Sequence, residues 1–198
     1  MTKNWQQAAR AVSNGEIAVI PTDTIYGLVA QAQNPIAVSR LDNLKQRKED
    51  SPYIILISNL SELIDFEISL DTAIKNLLHQ LWPGPISVVL NCNNKKFTYL
   101  HRGKNLAFRL PDNKELIEFI KITGPVVAPS ANPKSLPPAQ TITDAKKYFG
   151  SNVTNYISAE TEPLVGEAST LVDLTTSKPK ILRLGAKNPT QIFLDFNK

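Results

Sequence analysis

One feature narrows the fold of this chain more than any other. The apolar tetrapeptide Ile17-Ala18-Val19-Ile20 ends in Pro21 and runs straight into Thr22-Asp23-Thr24-Ile25-Tyr26-Gly27-Leu28. A continuous apolar run closed by proline reads as a short buried strand. A strand that stops in hydroxyl and carboxylate side chains adds little to a core. It does put hydrogen-bonding groups at the mouth of a pocket, because open α/β sheets bind ligands beyond the carboxyl ends of their strands. A polar turn between strand and helix would use the same residues, and the octapeptide alone leaves both readings open.

The rest of the chain alternates between helix-like and strand-like segments with short polar joints. Trp5, Ala8, Ala9 and Val12 share one face of a helix that Asn14-Gly15 ends. Pro35 opens a second helix carrying Ile36, Val38, Leu41 and Leu44. Tyr53 to Ile57 is a buried-type strand, followed by helical candidates at Ser61–Phe66 and Thr72–Leu81. Trp82-Pro83-Gly84-Pro85 reads as a rigid turn with an aromatic anchor before a strand at Ile86–Leu90. Asn91–Lys96 reads as a hairpin or loop. Then come a strand at Leu106–Leu110, a helix from about Pro111 to Ile122, and a strand at Pro125–Ala128. A helix near 143–149, strands near 154–158, 170–174 and 180–184, and a helical turn near 189–195 complete the pattern. No internal repeat or long linker divides it, so an α/β or α+β single domain with a mixed sheet is expected.

Composition sets outer limits. A hydrophobic share of 42% with 20% charged residues places the chain among soluble globular proteins. Its 198 residues suffice for one real core. The single cysteine, Cys92, excludes an internal disulfide and a zinc cluster, and suits a reducing compartment. Met1–Glu16 lacks the apolar core of a signal peptide, and no run approaches membrane-spanning length, so a cytoplasmic protein is expected. The net charge of +4 is compatible with phosphate-bearing partners such as nucleotides or RNA.

Four segments hold polar groups that packing does not require: Thr22–Tyr26, Lys45-Gln46-Arg47, Arg109 and Ser130-Ala131-Asn132. Lys45 and Arg47 near a helix C-terminus complement the helix dipole. Arg109 in Leu106-Ala107-Phe108-Arg109-Leu110 shares a strand face with Ala107. That face meets either solvent or an anionic ligand suited to a planar guanidinium. Ser130 and Asn132 fit a helix cap, an Asx turn or a pocket wall. Four such segments, each at an element end, favour a binding cleft. No Gly-x-x-x-x-Gly-Lys-Ser/Thr or Gly-x-Gly-x-x-Gly occurs, so a nucleotide would be held without either loop. His79, in a helix, is expected to be a partly buried structural residue, and His101 lies in a basic stretch with Arg102 and Lys104. Neither histidine makes a metal site or a catalytic triad.

Taken in order, these segments resemble the YrdC/TsaC family of threonylcarbamoyl-AMP synthases from Gly15 to Gly185. The resemblance is carried by Pro21–Leu28, Lys45-x-Arg47, Trp82-Pro83-Gly84-Pro85, Ala107–Pro111, Ala128–Asn132, Ser169-Thr170-Leu171-Val172-Asp173 and Ile181-Leu182-Arg183-Leu184-Gly185. It implies a YrdC-like twisted open mixed α/β sheet with flanking helices around a basic cavity, in one domain over 1–198 and in the short form of the family. The implied reaction is that of an L-threonylcarbamoyladenylate synthase, a nucleotidyltransferase. It joins L-threonine, bicarbonate or CO2, and ATP with release of pyrophosphate, for threonylcarbamoyladenosine modification of tRNA beside the anticodon. A TsaD-type transferase would take the product.

Carried over onto this sequence, the resemblance implies that Thr24, Arg109, Ala128 and Ser169 hold threonine. It implies that Arg47, Ser51, Ser130, Asn132 and Arg183 hold ATP. Lys45 would span the reacting groups, and Lys45, Arg47 and ATP-bound Mg2+ would neutralise charge as pyrophosphate leaves. The sequence departs from the family pattern at Lys48, Leu56, Asn105, Lys134, Ser135, Ala168 and Leu184. Two other classes remain open at this level. One is an RNA-binding module without chemistry, recognising tRNA or double-stranded RNA by shape, which the basic charge supports and the lack of stacking aromatics opposes. The other is a carbamoyl-transfer domain like that of hydrogenase-maturation proteins, whose companion acylphosphatase and zinc-finger segments this sequence does not show.

Overall fold

The computed structural model describes residues 1–46, 53–100 and 105–196. The elements in chain order are α1 (Lys3–Ser13), β1 (Ala18–Pro21), β2 (Tyr26–Gln31), α2 (Pro35–Lys45), β3 (Ile54–Leu56), α3 (Thr72–Leu81), β4 (Ile86–Asn91), β5 (Asn105–Arg109), α4 (Lys114–Thr123), β6 (Val126–Val127), α5 (Ile142–Phe149), β7 (Asn155–Tyr156), β8 (Thr170–Asp173), β9 (Lys180–Arg183) and α6 (Thr190–Phe196). Short 3₁₀ segments lie at Leu60–Phe66, Lys95–Phe97 and Gly150–Asn152. Among the described residues one open sheet runs β7-β1-β2-β6-β3-β5-β4-β8-β9. It is mixed: β7 with β1, β3 with β5 and β4 with β8 are parallel, and the remaining neighbours are antiparallel.

The strands read as unbroken apolar runs because both faces of the sheet are covered. Ala18, Ile20, Val29, Leu56 and Val126 pack on one face with Trp5, Ala8, Ala9 and Val12 of α1 and Leu116, Phe119 and Ile120 of α4. Trp5 and Phe119 meet edge to face at 5.7 Å between ring centroids. Their alternate neighbours Val19, Leu28, Ile55, Phe108 and Val127 face the larger core, built with Val38 and Leu41 of α2 and Leu77, Leu78 and Leu81 of α3. Period-two alternation thus feeds two cores rather than a core and solvent.

Several elements differ from the sequence reading. Residues Tyr26–Gln31 form β2, an antiparallel partner of β1 in register Pro21↔Tyr26, a strand that the sequence reading did not assign. The helical candidate at Ser61–Phe66 is a 3₁₀ segment, Leu60–Phe66. In α2, Ile36 points out while Lys45 is buried, because Lys45 shares the inward side with Ala37, Val38 and Leu41 at helical spacing. His79 is exposed on the outer side of α3, opposite Leu77, Leu78 and Leu81, and is not the partly buried residue expected. Among the described residues no helix is long and apolar enough to cross a membrane.

Candidate functional site

The turn between β1 and β2 is built by one side chain. Thr22 Oγ1 accepts from the backbone N–H groups of Thr24 (3.1 Å) and Ile25 (3.2 Å) and donates to the Ile25 carbonyl at 2.7 Å. This local bonding lets the four residues Thr22–Ile25 turn the chain without a glycine, and it leaves Thr24 Oγ1 pointing back at 3.0 Å from Thr22 Oγ1. A second turn follows β6. Leu28 N–H donates to the Pro129 carbonyl at 2.9 Å and Ala131 N–H to the Tyr26 carbonyl at 2.8 Å. Pro129–Ala131 is thereby laid beside the start of β2, with Gly27 bridged to Ser130.

Between these turns opens a cleft of about 320 Å3, lined among others by Thr24, Tyr26, Ile54, Arg109, Ala128 and Ser130, with Ala168, Ser169 and Arg183 closing it. Its groups come from the ends of β1, β5, β6 and β9 and from the residue before β8. Ile54 and Ala128 of its lining pack against the α1/α4 core, while Tyr26 and Tyr53 belong to the larger core.

Arg109 dominates the electrostatics. It is 5% exposed. Its Nη1 donates to Thr24 Oγ1 at 3.3 Å, and Nη2 lies 3.0 Å from Asp23 Oδ1. Nε has no hydrogen-bond partner. Burial pushes the Arg109 guanidinium below its ordinary value, Asp23 opposes that shift, and nearby Arg183 adds to it. Arg183 Nη2 donates to the Ser169 carbonyl at 2.8 Å, and Ser169 Oγ pairs with buried Ser87 Oγ at 2.8 Å. Two guanidinium groups and the hydroxyls of Thr24 and Ser169 therefore line one cleft, with Ser87 behind Ser169, a set suited to a carboxylate and a hydroxyl-bearing ligand.

Lys45 and Asn132 stand behind the wall and do not line the cleft. Lys45 Nζ donates to the carbonyls of Ser130 and Asn132, the latter at 2.7 Å. The last residue of α2 thus clamps the turn that carries Ser130. Asn132 Nδ2 donates to the Leu136 carbonyl at 2.6 Å, which leaves its buried Oδ1 without a partner. Of the residues expected in the site, Thr24, Arg109, Ala128, Ser130, Ser169 and Arg183 line one cleft. Arg47, Ser51 and Lys48 lie outside the described residues, as does His101. Among the described residues no three histidine, cysteine or carboxylate side chains come together as a metal site.

Sequence reasoning missed the supports. Ser87 sits in the apolar stretch Ile86-Ser87-Val88, and a hydroxyl inside a buried strand is the signal that could have found it. Tyr26 Oη donates to Glu162 and accepts from Ala159 N–H at 2.7 Å, and Ile142 N–H donates to the same Glu162 oxygen at 2.9 Å. Burial first, and then Glu162, push the Tyr26 hydroxyl well above its ordinary value. These bonds fasten the strap of residues 158–168, whose last residue, Ala168, lines the cleft. At Gly166 the strap lies so close to the Thr24 carbonyl that an added Cβ would fall 2.0 Å from its oxygen.

Comparison with known proteins agrees with this geometry. The sequence model of the Sua5/YciO/YrdC family, described as telomere recombination, matches residues 10–185. A protein of Mycobacterium tuberculosis called a putative threonylcarbamoyl-AMP synthase is 30% identical over 93% of this chain and 85% of its own length. The threonylcarbamoyl-AMP synthase of Bacillus subtilis is 29% identical over 94% of the chain but only 54% of its own length. Among solved structures, Sua5 of P. abyssi complexed with L-threonine superposes with a TM-score of 0.85 at 28% identity, over 97% of this chain and 57% of that one. The chain thus spans most of the mycobacterial relative and about half of the longer two. A family match over most of the chain, on the segments that build the cleft, leads to one conclusion: the chain belongs to the Sua5/YciO/YrdC family.

Proposed function

We propose that the protein is an L-threonylcarbamoyladenylate synthase, a nucleotidyltransferase that forms threonylcarbamoyl-AMP and pyrophosphate from L-threonine, bicarbonate or CO2, and ATP. The observation that carries this reading is the convergence of Thr24, Arg109, Ala128, Ser130, Ser169 and Arg183 on one cleft. Relatives named for the reaction, and a related structure holding L-threonine, support it.

In this reading Arg109 receives the threonine carboxylate, and the Ala128 carbonyl and the hydroxyls of Thr24 and Ser169 receive its polar groups. Ser130, Asn132 and Arg183, with Arg47 and Ser51, hold ATP. The threonine amine attacks CO2 to give a carbamate. A carbamate oxygen then attacks the α-phosphate, and the bond to pyrophosphate breaks. No covalent enzyme intermediate is needed, so catalysis rests on holding two anions in line and offsetting charge as pyrophosphate departs. Lys45 shapes the ATP half by fixing the Ser130 and Asn132 carbonyls, in addition to its expected electrostatic role with Arg47. Mg2+ would arrive bound to the phosphates of ATP as part of that substrate. The product would pass to a TsaD-type transferase acting on tRNA.

The test is incubation of purified protein with ATP, Mg2+ and bicarbonate, with and without L-threonine, following nucleotides by chromatography. A threonine-dependent adenylate with stoichiometric pyrophosphate is expected. A folded protein that binds ATP and yields neither would refute the assignment. Arg109→Ala should lower kcat/KM for threonine by about 10- to 100-fold, the scale of a lost hydrogen bond to a charged group.

A further inference from the structure

The Arg109 end of the cleft contains a charge for which the proposed reaction has no use. Asp23 sits in the β1–β2 turn but is not among the cleft-lining residues, and its side chain is as buried as that of Arg109, each 6% exposed. Its Oδ1 lies 3.0 Å from Arg109 Nη2, and its Oδ2 accepts from the backbone N–H of Asp112 at 3.3 Å. Oδ1 completes no aligned hydrogen bond, so its hold on the guanidinium is Coulombic. Asp23 therefore joins the loop after β1 to Arg109 and to the loop after β5.

Charge decides what such a corner accepts. Arg183 is close enough to disfavour the charged form of Arg109, and Asp23 opposes that. These three groups leave one net positive charge. A buried guanidinium N–H without an acceptor, here Nε, costs free energy that a ligand's oxygen removes. A single carboxylate completes that corner and neutralises it. A polyphosphate brings several negative charges against a buried carboxylate, at short range and in a medium less polarisable than water.

We propose that Asp23 is a specificity-determining residue that restricts the Arg109 end of the cleft to a monoanion, so that an amino-acid carboxylate and not a polyphosphate occupies it. Asp23 does this through Arg109 and touches no substrate. The cleft receives two anionic substrates, and Asp23 sorts them. The inference rests on the reading of the cleft as a threonine and ATP site.

The experiment measures L-threonine and inorganic pyrophosphate binding by calorimetry, with pyrophosphate inhibition of the reaction, on wild type and Asp23→Asn. Asparagine keeps an oxygen facing Arg109, drops the charge and gives up only the long bond from Asp112 N–H, whose acceptor oxygen becomes an amide nitrogen. Any loosening of Arg109 weakens threonine binding but does not bring pyrophosphate into competition with threonine, so the competition pattern separates loosening from loss of charge. Loss of the negative charge favours the ligand of higher charge, so the pyrophosphate-to-threonine affinity ratio should rise at least about tenfold in Asp23→Asn. Pyrophosphate should then become competitive with threonine. In wild type, pyrophosphate should compete with ATP and leave threonine binding unchanged, a measurement that stands even if the variant fails to fold. A ratio within about twofold of wild type in folded Asp23→Asn, or wild-type pyrophosphate competing directly with threonine, overturns the role of Asp23 while leaving the proposed reaction in place. Wild-type protein that binds no threonine overturns the reading of the cleft, and the role of Asp23 with it.

Discussion

Ser87 and Gly166 support the site at different residues, Ser87 at Ser169 and Gly166 at Thr24. Ser87 is fully buried in β4, and its hydroxyl meets that of Ser169 at 2.8 Å. Ser87→Ala leaves the Ser169 hydroxyl inside the protein without that partner, a loss of about 1 kcal/mol. If Ser169 contacts threonine, KM for threonine should rise about fivefold with kcat held, since the hydroxyl would be free to rotate away. Unchanged KM would remove Ser87 from the site's support. Gly166 acts by having no side chain. A Cβ there would sit 2.0 Å from the Thr24 carbonyl oxygen, and that oxygen belongs to a turn already fixed by Thr22. Gly166→Ala must therefore shift the strap or the turn. A displacement near 1 Å at a positioned substrate lowers rate by about 100-fold. Circular dichroism should show the fold intact while threonine-dependent turnover falls by about that factor.

Elements explain both what the sequence revealed and what it hid. The helices were legible because caps and apolar spacing coincide: Asn34 accepts from Ile36 and Ala37 N–H, Asp71 from Ile74 N–H, and Asn113 from Leu116 N–H. The strand β2 was not legible, although Tyr26–Ala30 is wholly buried. Its first residues belong to a polar turn, and an apolar run after such a turn suits a strand or a buried helix equally. Arg109 was ambiguous for a related reason. Alternation assigns it a face, but not what covers that face, and here it is a cleft rather than solvent. Glu162 carried no local signal, because its partner Tyr26 is far off in sequence. Its contribution can be measured. Tyr26→Phe takes the acceptor from Ala159 N–H and the donor from Glu162, so stability should fall by about 1–2 kcal/mol in urea unfolding. Proteolysis should then begin within the strap of residues 158–168, because its bond to β2 is gone.

At the scale of the whole molecule, the sheet is covered by helices on both faces, and groups from its strand ends surround the cleft, so fold and site share the same buried hydroxyls. That sharing gives the protein an alkaline limit. Burial raises the hydroxyls of Tyr26, Tyr99 and Tyr156 above their ordinary value, and Tyr99 is pushed up from 10.0 to about 12. Tyr99 is half-buried and donates to the Ala32 carbonyl at 2.8 Å, just past the end of β2. Below pH 10 the folded and unfolded chains both keep the Tyr99 proton, and its contribution is constant. Between pH 10 and about 12 the unfolded chain releases the proton while the folded chain keeps it, so each step upward favours unfolding. Urea unfolding at half-unit steps from pH 8 to pH 12 should show stability falling from about pH 10 onward. Tyr99→Phe separates this effect from general alkaline denaturation. The variant should be about 1 kcal/mol less stable at pH 8, where only the hydrogen bond to Ala32 is missing. Its decline above pH 10 should be shallower than that of wild type, so that the two curves cross between pH 10 and about 12. Parallel curves would mean that the Tyr99 hydroxyl titrates alike in both states and that its burial does not set the alkaline limit.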